Sequence, residues 1–307
     1  MHGQVNQDIF NLDEGFWDNY LRGRPSPPDS FFARIFDYHE AKNGHFNHVH
    51  DVGAGNGPFS HQLKSRFDHV LVSDIATSNV ELARARLGDN GYSYRTAKLE
   101  DASDLREGKM DLVFAANVMH FPDQELAMKA IAHQLRPGGT FAAALFGPAR
   151  FEDPRIQSLW QRMNYEGGRT LLSKSDRVEE TIGIMSRTQD HYNVAPLDPT
   201  LFDKGSQRIH LNMSKGGIVG MLPPETANLH SEPDYTGEDD QLIHEDDIEW
   251  RFTTNFSGLM EHVASFPFLA PETSELQEMM EELEEYCGTQ NAIQGYVPVT
   301  LILATRS

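Results

Sequence analysis

Short apolar runs alternate with helix-periodic stretches through the first half of the chain. His48 to Val52 reads as a strand running into Gly53-Ala54-Gly55-Asn56-Gly57, and 59–67 as a helix with Phe59 and Leu63 on one face. His69 to Ser73 is a second strand, and Ser78 to Leu87 is a helix that ends at Gly88. Tyr92 to Ala97 and Met110 to Ala116 are the third and fourth strands. The fourth is apolar almost throughout, as a strand buried on both faces should be. Gln124 to Leu135 is a helix stopped by Pro137-Gly138-Gly139, and Thr140 to Phe146 is a fifth strand. Strand–helix alternation of this kind requires a parallel sheet with helices on both faces.

The second half changes character. From Arg150 to about Leu201 the pattern is helical but irregular around Trp160, and Gln207 to Met213 can form a sixth strand. Residues 271–287 read as an amphipathic helix, with Leu276, Met279, Met280, Leu283 and Tyr286 on one face. Thr273, Ser274 and Gln277 mark its start and Gly288 its end. Tyr296 to Ala304 is a terminal strand, and no internal repeat is visible. The expected molecule is one α/β core with a cap inserted before the chain returns to the sheet.

At 307 residues with 39% hydrophobic positions, the chain can bury a sizeable core. Its longest apolar runs are strand-length, too short to span a membrane. The first residues show no basic-then-apolar secretory pattern, and a single cysteine, Cys287, fits a reducing compartment, so the cytoplasm is the expected setting. The formal net charge is −20 and uneven. Residues 1–215 carry 24 basic and 28 acidic side chains, whereas residues 216–307 carry 2 and 18. Such a surface repels phosphate backbones, so a nucleic-acid substrate is not expected. Ten of the acids fall between Glu225 and Glu249, and no lysine or arginine lies between Lys215 and Arg251. This composition predicts a solvated, mobile surface loop.

The chemistry begins at Asp51 to Gly57. Glycines at alternate positions after a strand let the backbone turn tightly and approach a ligand at a helix N-terminus. A dinucleotide loop would place glycine three residues after Gly55, but Pro58 stands there, so a nicotinamide cofactor is not expected. Asp74, at the tip of the second strand, is positioned by sequence to accept the two hydroxyls of a ribose. Loop and acid on neighbouring strands indicate a nucleoside ligand. No cysteine or carboxylate set gives the histidines zinc geometry, and no Gly-x-Ser-x-Gly elbow is present. His50 reads as a core histidine, while Trp17 and Trp160 suit either core or pocket walls.

Asp51–Gly57, Asp74, Leu99-Glu100-Asp101, Asp111–Phe121 and Leu135–Gly139 occur in the order found in class I S-adenosylmethionine (SAM)-dependent methyltransferases, and residues 16–146 resemble that superfamily. Tyr20-Leu21-Arg22-Gly23-Arg24-Pro25 and Met119-His120-Phe121 look like the trans-aconitate methyltransferase-like group within it. The resemblance implies a Rossmann-like, mostly parallel sheet with an antiparallel terminal strand, helices on both faces and an inserted cap. It implies a helical lid over residues 1–45, a SAM-binding core over 46–149, a cap over 150–250 with its acidic loop at 225–249, and a C-terminal helix and strand over 251–307 that complete the core.

The resemblance also implies roles. Gly53 and Gly55 would pass the methionine part of SAM, with Asp51 holding the turn or the amino group. Asp74 would bind the ribose, Ile75 would pack on the adenine, and Leu99 and Glu100 would meet its edge. Lys98 and Leu99 depart from the small residue and acid often found there. Asn117 would face the methionine amine or methyl donor, Tyr20 and Arg24 would cover the cofactor, and His120 is the candidate base. The implied activity is methylation of a small molecule at a carboxylate or hydroxyl oxygen. Two rivals remain at this point: a SAM-fold protein catalysing cyclisation or decarboxylation, and a non-catalytic protein whose acidic third docks a basic partner.

Overall fold

The computed structural model describes residues 14–213, 216–228, 230–269 and 273–307. The first thirteen residues of the expected lid, and the first two of the helix expected over 271–287, lie outside the described residues. Two helices come first, α1 (Glu14–Gly23) and α2 (Asp29–Ala41). The alternating core follows as β1 (His48–Val52), α3 (Ser60–Lys64), β2 (His69–Asp74), α4 (Thr77–Leu87), β3 (Tyr92–Thr96), β4 (Met110–Ala116), α5 (Gln124–Gln134) and β5 (Leu135–Phe146). Beyond it lie β6 (Arg150–Phe151), α6 (Pro154–Lys174), α7 (Val178–Arg187), β7 (Gln207–Leu211), α8 (Pro224–Ala227) and β8 (Gln241–Glu245). The chain ends with β9 (Arg251–Thr254), α9 (Phe256–Ala264), α10 (Ser274–Cys287), β10 (Ile293–Tyr296) and β11 (Val299–Thr305).

Eight strands form the main sheet in the order β3-β2-β1-β4-β5-β11-β7-β8. Neighbours from β3 to β5 run parallel, and β11 is antiparallel to both β5 and β7. The order reverses between β1 and β4, the switch point where open α/β sheets leave a crevice at the carboxyl ends of their strands. One sheet face is sealed by Phe31, Phe32 and Ile35 of α2 with Leu63 and Ala83 against Val49, Val72 and Phe114. The other is sealed by Ala127, Met128 and Ile131 of α5, with Tyr192, Val194 and Phe202 from the segment after α7.

The expected terminal strand is two strands. Pro298 has no N–H to give a ladder, and the chain breaks there, leaving β10 in a small antiparallel sheet with β6 and β9 while β11 joins the main one. Helix α10 does not cover the main sheet either. Its Leu276, Met279 and Leu283 pack with Ile156, Leu159 and Met163 of α6 and with Leu259 and Val263 of α9 in a third core. The cap therefore draws on both sides of the boundary drawn at residue 250, and β7 and β8 from its first part extend the main sheet. Its helix start differs in detail as well: Thr273 is the N-cap, accepting from Leu276 N–H at 3.2 Å.

The acidic stretch 225–249 keeps the largely exposed surface that its composition predicts, but it is not loop throughout. It contains β8, which pairs in parallel with β7 from Gln207–Gln241 to Leu211–Glu245. Its cationic partners come from elsewhere in the chain. Arg169 meets Glu225 at 2.7 Å, Arg187 meets Glu232 at 2.8 Å, and Arg34 meets Glu245 at 2.7 Å. The decisive pair is Arg208–Asp240 at 2.6 Å, with side chains only 1% and 7% exposed. Arg208 also donates to the carbonyls of Val194 at 2.9 Å, Ala195 at 3.1 Å and Tyr235 at 2.9 Å. Charge counted along the chain missed these partners because folding supplies them.

Arg208→Met should therefore destabilise strongly, by about 3–5 kcal/mol, because it strands a buried carboxylate and three carbonyls. Lys204→Met, at the exposed pair with Asp239, should leave the urea midpoint in place. Equal midpoints for the two variants would return the acidic stretch to the role of a loose loop.

Candidate active site

The loop after β1 turns on three glycines in the left-handed region, Gly53 at φ 61°, Gly55 at φ 56° and Gly57 at φ 74°. Space demands glycine as much as conformation does. A Cβ on Gly53 would overlap Val118, and one on Gly55 would overlap the ring of Trp17. Asp51, ahead of the turn, is 1% exposed and accepts from Ser60 Oγ at 2.6 Å, which ties the end of β1 to the start of α3. Burial, with the nearby Asp74 charge, raises its pKa to about 7 against the Ser60 bond, which lowers it.

Asp74, at the tip of β2, is the hub. Its Oδ2 accepts from Gly55 N–H at 2.9 Å, and its Oδ1 accepts from Ala76 N–H at 2.9 Å and from Asn79 Nδ2 at 3.1 Å. Burial pushes its pKa up, opposed by these bonds. Asn79 in turn accepts from Trp17 Nε1 at 3.0 Å. One hydrogen-bonded chain thus runs from the glycine loop through Asp74 and Asn79 to α1. Trp17, which suits either core or a pocket wall by sequence, is placed against the glycine loop, and Asn79, which no sequence pattern singled out, links it to Asp74; the Trp17 contacts span 38 and 62 positions, which no local pattern reports.

Helix α1 lies over the strand ends. Tyr20 meets Trp17 edge to face, with ring centroids 5.3 Å apart, and its hydroxyl accepts from Asn117 Nδ2 at 3.3 Å. Asn117 closes β4 at φ 54°, and its Oδ1 accepts from Phe146 N–H at 2.9 Å. Both ends of its amide are therefore held, so Asn117 braces β4, β5 and the lid. Arg24 follows the helix with its guanidinium 3.5 Å from the Phe266 ring centre and 5.2 Å from that of Tyr20. Its Nε is buried with no hydrogen-bond partner among the described residues, and burial lowers its pKa to about 10.

The remaining candidates are dispersed. Ile75 is half-buried beside Asp74. Leu99, like Val118, packs against the core on the α5 face of the sheet. The Glu100 carboxylate turns to the start of α5, accepting from Asp123 N–H at 3.2 Å. His120 is 7% exposed, lies 4.0 Å from the Phe121 ring and has Nδ1 3.4 Å from the Tyr192 hydroxyl. Burial, reinforced by Arg187, drops its pKa to about 3. His50 is a core histidine, bonded to Gln134 and to Ser73. Among the described residues no group of three or more His, Cys, Asp or Glu is placed to hold a metal, and no helix is long and apolar enough to cross a membrane.

A glycine loop and an acid on adjacent parallel strands, at the switch point and under an aromatic lid, define a nucleoside-cofactor enzyme. Comparison narrows the class. Residues 50–143 match the methyltransferase domain family. The chain is 53% identical to methyltransferase AacuQ of Aspergillus aculeatus over 98% of its own length and 96% of that protein's. It is 51% identical to methyltransferase tpcM of Aspergillus fumigatus over 99% and 95%. A solved structure assigned as a type II methyltransferase, from Anaeromyxobacter dehalogenans, superposes with a TM-score of 0.58 at 18% identity, covering 91% of this chain and 97% of its own. The chain belongs to the class I SAM-dependent methyltransferases, and its cofactor is SAM. The site fits that cofactor: the glycines leave backbone open to close approach, and Arg24 Nε is buried without a hydrogen-bond partner among the described residues.

Five buried histidines make stability depend on acid. His39, His50, His120, His210 and His262 are all held below the usual imidazole pKa by burial, His50 to about 4 and the last three to about 3. Unfolded, they titrate near about 6.5, so below that pH the unfolded chain binds more protons and stability falls as pH drops. Asp51 and Asp74, with raised pKa values, act in the opposite direction. With five groups against two, the melting temperature should be lower at pH 5 than at pH 7.5. A higher one would mean that the two carboxylates dominate.

Proposed function

We propose that the enzyme methylates a small acceptor at oxygen, most naturally a carboxylate. The observation that supports a small acceptor is enclosure. Helix α1 docks on the cofactor loop through Trp17 and on β4 through Tyr20, while its far end is held by α9 of the cap. Resemblance of the Tyr20–Pro25 segment to the trans-aconitate methyltransferase-like group supports a carboxylate.

In this reading Gly53 and Gly55 line the methionine part, Asp51 keeps the turn, and Arg24 pairs with the cofactor carboxylate through its planar fork. Asp74 takes the ribose, sharing oxygens that already receive Gly55 and Asn79, while Ile75, Leu99 and Val118 border the adenine. SAM supplies a sulfonium-bound methyl, an electrophile that needs an aligned nucleophile and exclusion of water. The lid excludes the water. His120, held neutral with a pKa of about 3, is a poor proton acceptor at neutral pH. An acceptor already ionised, such as a carboxylate, needs no base, and His120 then serves as a positioning wall.

Two measurements test this reading. S-adenosylhomocysteine release should appear with carboxylic acids and vanish with their methyl esters; transfer confined to amines, or no release across acids and phenols, would overturn it. His120→Gln should keep turnover within about threefold and His120→Ala lose about tenfold, whereas a loss of about 10²–10⁴-fold in both would identify a base. Asp74→Ala should weaken SAM binding by more than about tenfold in calorimetry, since the ribose contact and the loop anchor are lost together.

A further inference from the structure

The main sheet ends on β8, whose pairing fixes which way its backbone points. In the parallel register from Gln207–Gln241 to Leu211–Glu245, Gln241 N–H donates to the Ser206 carbonyl at 2.7 Å. At the other end the Glu245 carbonyl accepts from Asn212 N–H at 2.9 Å. Gln241, Ile243 and Glu245 therefore turn their peptide groups toward β7, and the alternate residues Leu242 and His244 turn theirs outward. The N–H and C=O groups of those two residues have no hydrogen-bond partner among the described residues.

Proteins usually blunt such an edge with proline, lysine or a charge in the strand. The β8 sequence Gln241-Leu242-Ile243-His244-Glu245 has no proline or lysine, and the Glu245 charge is paired with Arg34 at 2.7 Å. Apolar surface gathers here instead. Leu242 and Ile248, at 55% and 77%, are the two most exposed large apolar side chains among the described residues. On the α2 side, Ile243 borders an open groove of about 430 Å³ that Tyr38 and Ile209 also line, so that face of the strand is accessible too.

We propose that β8 is a self-association edge, at which two copies of this chain pair antiparallel across a two-fold axis through Ile243. An axis there sets Leu242 of each copy opposite His244 of the other. Both residues carry outward peptide groups, so each pair exchanges two hydrogen bonds and the two sheets become one. The side chains match as well. Ile243 meets its counterpart on the α2 side, Leu242 lies beside an imidazole on the other, and Glu245 faces Gln241, whose amide can donate to it. No like charges meet within the paired strands. Just outside them Asp240 nears Asp246, but Arg208 already neutralises Asp240. Neighbouring registers are worse: an axis at His244 sets Leu242 against Asp246, and one at Leu242 sets Asp239 against Glu245. Five residues a side make a small interface, formed against the repulsion of two chains of net charge −20. Association is therefore weak, and salt strengthens it by screening. The assignment rests on none of the chemistry of the active site.

Analytical ultracentrifugation of the full chain over about 5–300 µM should show a reversible monomer–dimer equilibrium that tightens between about 0.05 and 0.5 M NaCl. Gln241→Glu sets like charges face to face twice per dimer and should weaken it by about three- to tenfold, whereas Gln241→Lys should tighten it by a similar factor. Leu242→Pro removes an outward N–H and leaves the ladder to β7 whole, so it should abolish the dimer at the parental melting temperature. A chain that stays monomeric at every concentration and salt overturns the proposal and leaves the edge to a strand of another protein. A dimer that salt dissociates, or that both Gln241 variants leave unchanged, overturns it equally. If Leu242→Pro melts early, the Gln241 pair decides alone, because that side chain is exposed and neither substitution threatens the fold.

Discussion

The Asp74 carboxylate is the interaction on which the rest of the site depends. Buried at the tip of β2, it is penalised by desolvation and compensated by donors from three directions. Each donor belongs to a different part of the fold: Gly55 to the loop after β1, Ala76 to the turn that opens α4, and Asn79 to the first turn of α4. A single oxygen pair therefore sets the distance between two neighbouring βα units. Because Asn79 also accepts from Trp17, the same carboxylate determines where the lid rests. The glycine requirement follows from this arrangement. With Gly55 drawn to Asp74 and covered by the Trp17 ring, no side chain fits, and the left-handed backbone excludes most residues in any case.

Away from the cofactor loops, the organising device is again buried charge, with the signs exchanged. Arg208 projects from β7 into the segment that seals one face of the sheet and gathers Asp240 and three carbonyls. It fastens the stretch after α7 and the acidic segment to the sheet extension. The acidic third of the chain is thus not merely a solvating tail. Several of its carboxylates are partners for arginines carried by α2, α6, α7 and β7, which balances part of the charge excess locally.

The lid is built differently at its two ends. Toward the core it is held by polar bonds to Asn79 and Asn117 and by ring contacts. Toward the cap it is held by close backbone approach at Gly23 and by His262. The third core, formed by α6, α9 and α10, gives this second anchor a rigid footing. In the proposed reading, α1 clamped between core and cap would exclude water from the methyl donor without a separate moving domain.

The sequence alone determined the α/β alternation, the glycine loop and Asp74 as the acid on the adjacent strand. Those features are local: apolar period, turn residues and short spacings act within a few residues, where backbone geometry is nearly dictated. Pro58 likewise excluded a dinucleotide loop from spacing alone. What the tertiary structure decided is pairing over distance. Trp17 with Gly55, Arg208 with Asp240 and His262 with Gly23 join positions far apart in the chain, and nothing in a linear pattern marks them. Five residues of the acidic stretch, Gln241–Glu245, became an edge strand by pairing with β7, and arginines from other elements pair several of its carboxylates. Helix α10 joined the cap because its apolar face found α6 rather than the sheet. Local propensity says which element forms; only burial against a specific partner decides where it goes.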